Sequence, residues 1–383
     1  MNRLVENPII RPPDVAPSRE DYEVVGAFNA GVARFGNEVL LLLRCAERPK
    51  ERPDDTCVAP IWNAETGEIE LFTVKRDDPD VLVEDERVFR HRGDFYLTSI
   101  SHLRLARSVD GVHFTVDDAP AMSPETPTEA FGLEDPRITQ IGSDYWITYK
   151  AVSSMGITTA LAHTTDFRTF TRHGIIFCPE NLDVVIFPRK FGRAAERCGA
   201  AAPGCDDVKT HGRGRPCHIR DGGRTGAGHY VAWTRPVGKH LGAPSIWLAR
   251  SPDLIHWGAH APVLLPRPGM WDSARVGAST VPFLTADGWV EIYHGADENN
   301  VYCMGVALIS RDDPAKVLAR SAKPLMRPET DYEREGFFGG VVFSCGADVQ
   351  SDGTVTVYYG ASDETTCAAT TTVDELLHSV TAS

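Results

Sequence analysis

Ala106-Arg107-Ser108-Val109-Asp110-Gly111-Val112-His113-Phe114, Ala162-His163-Thr164-Thr165-Asp166-Phe167-Arg168-Thr169-Phe170 and Ala249-Arg250-Ser251-Pro252-Asp253-Leu254-Ile255-His256-Trp257 are three versions of one pattern. Each opens as a strand, reaches Ser or Thr, places Asp two residues later, and ends on an aromatic. Asp is favoured in turns for backbone reasons, so each copy reads as a Ser/Thr-x-Asp turn. Each copy is preceded by another short run, at 95–100, 145–149 and 230–233, and similar runs lie at 39–43, 289–293 and 355–359. These runs are mostly rich in β-branched and aromatic residues and bounded by Gly, Asp or Pro, which predicts strands. Long helical periodicity is nearly absent. A strand, turn and strand unit recurring at roughly 50 to 60 residues is the sign of radial blades. The expectation is an all-β fold, a five-bladed β-propeller, with residues 1–383 as a single catalytic domain. A two-sheet β-sandwich is the alternative, although sandwiches seldom repeat an Asp turn with an aromatic after it.

The spacing lengthens between the second and third copies. The excess falls at 193–228, a Gly-, Ala- and Arg-rich stretch read as a surface insertion. Near the C-terminus, 372–380 carries one or two turns of helical pattern and is expected to pack outside the blades.

The chain has 383 residues, 42% hydrophobic and 24% charged, enough to bury a large core. A formal net charge of -14 excludes a sustained phosphate-backbone surface, so no nucleic-acid partner is expected. No apolar run suits a secretory signal or a membrane span, and a cytoplasmic location follows by default. The nine cysteines include no Cys-x-x-Cys pair and read as reduced thiols. Cys198, Cys205, His211, Cys217 and His218 cluster in sequence, but their spacing matches no common zinc module.

No nucleophile elbow, P-loop, dinucleotide fingerprint or His-Glu-x-x-His pair is present. Chemistry should therefore come from polar residues at strand ends around the channel mouth. Asp135, in Gly132-Leu133-Glu134-Asp135-Pro136-Arg137, reads either as a general acid or as a turn aspartate paired with Arg137. Pro136 restrains Asp135 away from right-handed helical geometry. Arg44, Arg87, Arg137, Arg189, Lys190, Arg235 and His294 sit at strand or loop junctions. Several cations converging in an acidic protein would suit a phosphate, whose oxygens match guanidinium forks. Taken singly, each could instead pair with a surface carboxylate. Tyr293-His294-Gly295-Ala296-Asp297 and Tyr359-Gly360-Ala361-Ser362-Asp363 each deliver an Asp after a Gly, fit either for sugar hydroxyls or for turn chemistry. Trp271, Tyr302, Tyr332 and Phe338 offer stacking surfaces or core.

Taken together, these residues resemble glycoside hydrolase family 130, the β-mannoside phosphorylases and related mannosidases. The resemblance runs through Val25-Gly26-Ala27-Phe28-Asn29-Ala30-Gly31, Ser99-Ile100-Ser101-His102-Leu103-Arg104-Leu105-Ala106, the Asp135 segment, Val184-Val185-Ile186-Phe187-Pro188-Arg189-Lys190, Ser245-Ile246-Trp247-Leu248-Ala249, Tyr293–Asp297 and Tyr332-Glu333-Arg334-Glu335-Gly336-Phe337-Phe338. The second and fifth of these are most similar to the subfamily acting on β-1,2-linked mannose. The resemblance implies a five-bladed propeller and Asp135 as catalytic acid. It implies phosphate held by Arg44 and Lys190, with Arg137, Arg235 and His294 in the same cationic site. It also implies a mannoside held by Asn29 and by Asp297 or Asp363, with His102, Arg87 and Tyr302 beside it.

An inverting hydrolase needs a second carboxylate to activate water, whereas phosphate is already a nucleophilic anion. The implied reaction is inverting phosphorolysis of a β-1,2-mannoside to α-D-mannose 1-phosphate, with inorganic phosphate as co-substrate and no metal or organic cofactor. Hydrolysis of the same linkage, with Glu180 as a spare acid, and noncatalytic sugar binding are the alternatives. To act, Asp135 must be protonated, so its pKa should be raised. Two motifs depart from the family's form: Phe-Pro-Glu-Lys reads Phe187-Pro188-Arg189-Lys190, and His-Arg-Pro reads Thr234-Arg235-Pro236. Both are expected at the anion site. The partners are a small oligosaccharide and phosphate, with no membrane; a homo-oligomer is left open.

Overall fold

The computed structural model describes residues 1–192, 228–238 and 242–381. The 193–228 insertion lies outside the described residues except for Gly228, as does the group of cysteines and histidines between 198 and 218.

The architecture is all-β. The N-terminal strand Asn2–Arg3 pairs with Thr365–Thr372, which continues through Thr354–Ala361 to Val342–Val349, so the two ends of the chain share a sheet. A second sheet has Asn181–Ile186, Tyr230–Pro236, Ile246–Ser251 and Gly258–Leu264 in order. A third runs Arg275–Ala278, Trp289–Ala296, Tyr302–Ile309 and Val317–Arg320. The largest has eight strands. Its two halves, Tyr22–Phe35, Glu38–Pro49, Ile100–Ser108 and the short Thr115–Val116 on one side and Gly132–Ile141, Asp144–Ser153, Gly156–Thr164 and Thr171–Phe177 on the other, meet through the single parallel pair Gly132 and Ser101. No sheet closes on itself among the described residues.

Apolar faces pack these units in chain order. Leu42, Leu103 and Leu105 meet Leu133, Ile138 and Ile147. Leu161 and Ile176 meet Ile186, Ala232 and Ala249. Val185, Phe187 and Trp233 meet Val276, Trp289 and Tyr293. Val290, Ile292 and Val306 meet Val342, Val355 and Val357. Finally Tyr358 and Ala368 return to Val32, Leu41 and Leu43. Burial of these side chains is the main drive for the assembly, at roughly 1.5–3 kcal/mol per large apolar residue.

The repeated turns do as their residues dictate. Asp110 Oδ1 accepts from the N–H groups of Val112 and His113, each at 2.9 Å, and Asp166 and Asp253 do the same two and three residues ahead. One strand pairing differs from expectation. The run at 95–100 is not the sheet neighbour of the first repeat: Asp94–Leu97 joins Val81–Val83 and Val88–His91 in a separate small sheet, and Glu38–Pro49 lies beside Ile100–Ser108 instead. The hairpin Thr56–Asn63 and Glu68–Lys75 belongs to the same excursion. A terminal helix spans Val373–Thr381 and buries Leu376 and Val380. No helix among the described residues is long and apolar enough to cross a membrane.

Candidate active site

Three strands that open successive packed units carry the same irregularity. Tyr22–Phe35, Gly132–Ile141 and Asn181–Ile186 each slip register, at Phe28/Gly31, Glu134/Arg137 and Leu182/Val185. Inside those slips sit Asn29 (φ 49°), Asp135 (φ 46°) and Asp183 (φ 54°), all left-handed and all buried. Such a backbone costs on the order of 1 kcal/mol or more for a non-glycine residue, least for Asn and Asp. A bulge of this kind re-aims a side chain, and here it turns three polar groups toward one centre. Asp135 thus avoids the right-handed helix, as Pro136 requires, by a left-handed rather than an extended backbone.

The carboxylate of Asp135 is held from three sides. Oδ1 accepts from Asn29 Nδ2 at 2.9 Å and from Arg44 Nη1 at 3.3 Å, and Oδ2 accepts from Lys150 Nζ. Arg44 also reaches Glu134 Oε1 at 2.6 Å and Ser101 Oγ at 3.2 Å. Burial by itself would push Asp135 up, but the charges of Lys150 and Arg44 outweigh it and hold the carboxyl below the usual carboxylate range. The expected rise in its pKa is therefore not found, because Lys150 stabilises the ionised form.

Beside it lies Asp183, enclosed by Arg235 Nε at 2.6 Å, Arg137 Nη2 at 3.1 Å, His294 Nε2 at 3.3 Å and Lys150 Nζ at 3.7 Å. Burial opposes ionisation of Asp183 too, yet Arg235, Lys150 and the other neighbours keep it well below its ordinary value. His294 is fully buried, pushed down to about 4 mainly by that burial, and so neutral near pH 7; its Nδ1 is 2.9 Å from Ser279 Oγ. The fit is tight: a Cβ on Gly277 would lie 2.4 Å from His294 Nε2 and 2.6 Å from Asp183 Oδ2.

Above this cluster a cavity of about 250 Å³ is lined by Phe28, Arg44, Arg87, Leu97, Ser99, Glu134, Val152, Phe337 and Asp363 among others. Arg87 stacks on Phe338 at 3.8 Å and meets Asp363 Oδ2 at 3.5 Å. Burial pushes Asp363 up to about 6, with Asp135 adding to the rise and Arg44 opposing it.

Asn29, Arg44, Asp135, Arg137, Arg235 and His294 thus converge on one cluster, and Arg87 and Asp363 line the adjoining cavity. Five expected residues stand elsewhere or in other roles. Lys190 is exposed and lies over the Tyr230 ring at 4.6 Å, at the opposite end of Tyr230–Pro236 from Arg235. The chain passes Asp183 and then runs away from the centre, carrying Arg189 and Lys190 with it. Arg189 packs on Phe191 and Trp289, so the altered Phe-Pro-Arg-Lys motif does not join the cations around Asp135 and Asp183. His102 faces the other side of its strand. Arg44 contacts Ser101, and the next residue along must point away, toward Glu47 Oε1 at 3.8 Å. Asp297 caps its own hairpin, accepting from the N–H groups of Asn299 and Val301. Tyr302 sits at the edge, its hydroxyl accepting from Arg275 at 2.9 Å and its ring 6.1 Å from His294.

Arg137 is more deeply committed than a ligand position allows. It donates to the carbonyls of Ser279, Ala278 and Asp135 and to Asp183, and thereby braces the site from below. Contrary to the turn reading, it meets the Asp135 carbonyl and not its carboxylate. Glu180 Oε1 is taken by the Ile157 N–H at 3.3 Å. Lys150 and Asp183 were missed in the sequence reading. Their signal is a lone charge in an apolar run, Tyr145-Trp146-Ile147-Thr148-Tyr149-Lys150 and Leu182-Asp183-Val184-Val185-Ile186, where burial demands a partner.

Comparison with known proteins matches the chain to one family. The family model for glycoside hydrolase family 130, described as beta-1,4-mannooligosaccharide phosphorylase, matches residues 78–382. The chain is 42% identical over 380 residues to the beta-1,2-mannobiose phosphorylase of Listeria innocua, covering 98% of this chain and 97% of that one. It is 37% identical over 267 residues to the 1,2-beta-oligomannan phosphorylase of Thermoanaerobacter sp., covering 69% and 76%. The solved structure of the Listeria enzyme in complex with beta-1,2-mannobiose superposes with a TM-score of 0.87 over 100% of this chain and 99% of that one. The chain belongs to glycoside hydrolase family 130.

Proposed function

We propose that the protein is a phosphorylase that cleaves β-1,2-linked mannosides, mannobiose or short oligomannosides, with inversion, releasing α-D-mannose 1-phosphate. The near full-length 42% identity to a beta-1,2-mannobiose phosphorylase carries this reading. The site's chemistry supports it. Arg44 lines a sugar-sized cavity and also meets the Asp135 carboxylate, Lys150 holds the other oxygen of that carboxylate, and Arg235 pairs with the neighbouring Asp183, so a candidate acid and cations able to hold an anionic nucleophile adjoin one cavity. Phosphate would be held by Arg44, Lys150 and Arg235, the nonreducing mannose by Asn29 and Asp363, and Asp135 would protonate the leaving oxygen. No metal or organic cofactor enters these steps.

Five blades within a single catalytic domain fit the packing order, if the eight-stranded sheet counts as two units joined at Gly132 and Ser101. Buried unpaired thiols such as Cys45, Cys345 and Cys367 suit a reducing, cytoplasmic setting. Hydrolysis is not favoured, because the relatives matched over most of the chain are named phosphorylases and Glu180, the spare acid expected for it, meets the Ile157 N–H.

The test is incubation with β-1,2-mannobiose with and without inorganic phosphate. Mannose 1-phosphate should form only with phosphate, and Asp135→Asn should abolish it. Free mannose released at equal rates in both conditions refutes phosphorolysis, and binding without turnover points to a sugar-binding propeller.

A further inference from the structure

Lys150 presents a conflict that the proposed reaction must resolve. To protonate a leaving oxygen, Asp135 has to carry a proton, yet Lys150 Nζ grips Oδ2 and Arg44 grips Oδ1. An acid held in that way cannot donate. The other groups facing Asp135 do not remove the difficulty. Asn29 donates to it from Tyr22–Phe35, Arg137 and Glu134 flank it on its own strand, Asp183 stands across Lys150, and Asp363 and Cys345 act on it from the C-terminal sheet. Among the cations, Arg44 is tied to Glu134 and Arg137 to backbone carbonyls. Lys150 has a flexible four-carbon stem, no backbone acceptor among its contacts, and a second carboxylate at 3.7 Å to lean on.

We propose that Lys150 is a positioning residue that transfers its ion pair from Asp135 to the incoming phosphate, so that Asp135 gains its proton only when the nucleophile is in place. The inference rests on the phosphorolysis reading. Its balance is simple. Dihydrogen phosphate enters beside Lys150, Arg44 and Arg235, which favour the doubly charged form. One O–H bond of the phosphate breaks, and the proton passes to the Asp135 carboxylate oxygen that Lys150 has released. Hydrogen phosphate then forms the bond to C1 as the glycosidic C–O bond breaks, and Asp135 gives the same proton to the leaving sugar oxygen. The products are the singly charged mannose 1-phosphate and the acceptor sugar, with Asp135 again a carboxylate for Lys150 to hold.

The experiment is calorimetric titration of inorganic phosphate into the full chain in two buffers of different ionisation enthalpy, above the second ionisation of phosphate. There the ligand arrives doubly charged, so the proton for Asp135 must come from buffer. The parent should take up about one proton per phosphate bound, Asp135→Asn none, and Lys150→Met less than about half of the parent's value. Lys150→Arg, which keeps the charge, should restore the uptake. A merely structural Lys150 would change affinity or melting temperature and leave the proton count alone. Phosphate binding by the parent without proton uptake, or equal uptake by Asp135→Asn, overturns the proposal. So does a failure to bind phosphate in this titration while mannose 1-phosphate is still formed. If Lys150→Met does not fold, the parent against Asp135→Asn and Lys150→Arg decides. Absence of both phosphate binding and mannose 1-phosphate instead overturns the phosphorolysis reading itself.

Discussion

Replacing Lys190 by Ala separates the site built by the tertiary structure from the site expected from the motif. Lys190 rests on Tyr230, and Arg235 stands five residues along the same strand, a separation of roughly 17 Å at about 3.3 Å per residue. Two unit charges that far apart in water interact by about 0.2 kcal/mol, and physiological salt cuts this to roughly a tenth. The KM for phosphate in Lys190→Ala should therefore change by less than about 10%. Arg235→Ala is the contrast. It removes a buried cation 2.6 Å from Asp183, and loss of a charge-assisted contact of about 1.5–3 kcal/mol should raise the phosphate KM by roughly 10- to 150-fold. The assay is the initial rate of β-1,2-mannobiose phosphorolysis at varied phosphate, with a thermal melt on each variant. A Lys190→Ala protein that melts like the parent but has a phosphate KM raised more than about threefold would refute the placement.

Three further outcomes follow from groups around the same centre. Asp183 is held well below its ordinary value, so its stabilisation is present above the unfolded carboxylate range and lost as pH falls through and below it. Asp183→Asn should cost about 3–5 kcal/mol in urea unfolding at neutral pH and less near pH ~3; an equal gap at both argues against the ion-pair account. Gly277→Ala would drive its Cβ into His294 and Asp183, and a loss in kcat of at least about 10-fold with the protein still folded is expected. Glu291 is pushed well above its ordinary value, chiefly by burial, so its cost is absent at acid pH and grows as pH rises above the unfolded carboxyl range. Glu291→Gln should keep the Ser279 N–H bond, stabilise the protein by about 1 kcal/mol or more at neutral pH, and give no gain near pH ~4; destabilisation at neutral pH would contradict this.

Much of the cationic site could be read along the chain. Arg44, Arg235 and His294 each follow a short apolar run and Asp135 precedes one, positions where a polar side chain must find a partner. Face and direction could not be read so easily. His102 follows Ser101 by one residue, and the alternation of a strand sends it to Glu47 while Ser101 meets Arg44. Asp297 looked like Asp363, but its carboxylate is used within its own hairpin, whereas Asp363 opens onto the cavity.

The sequence by itself determined the all-β character, the repeated Asp turns and the terminal helix, because these depend on residues within a few positions of one another. It also determined the family, through motifs spread over nearly the whole chain. Only the tertiary structure decided that Lys150 and Asp183 belong to the site and Lys190 does not. It likewise decided that Asp135 is held as a carboxylate. Those facts depend on bulges that re-aim side chains from different strands toward one point, and on buried charges that settle each other's ionisation across more than a hundred residues of chain.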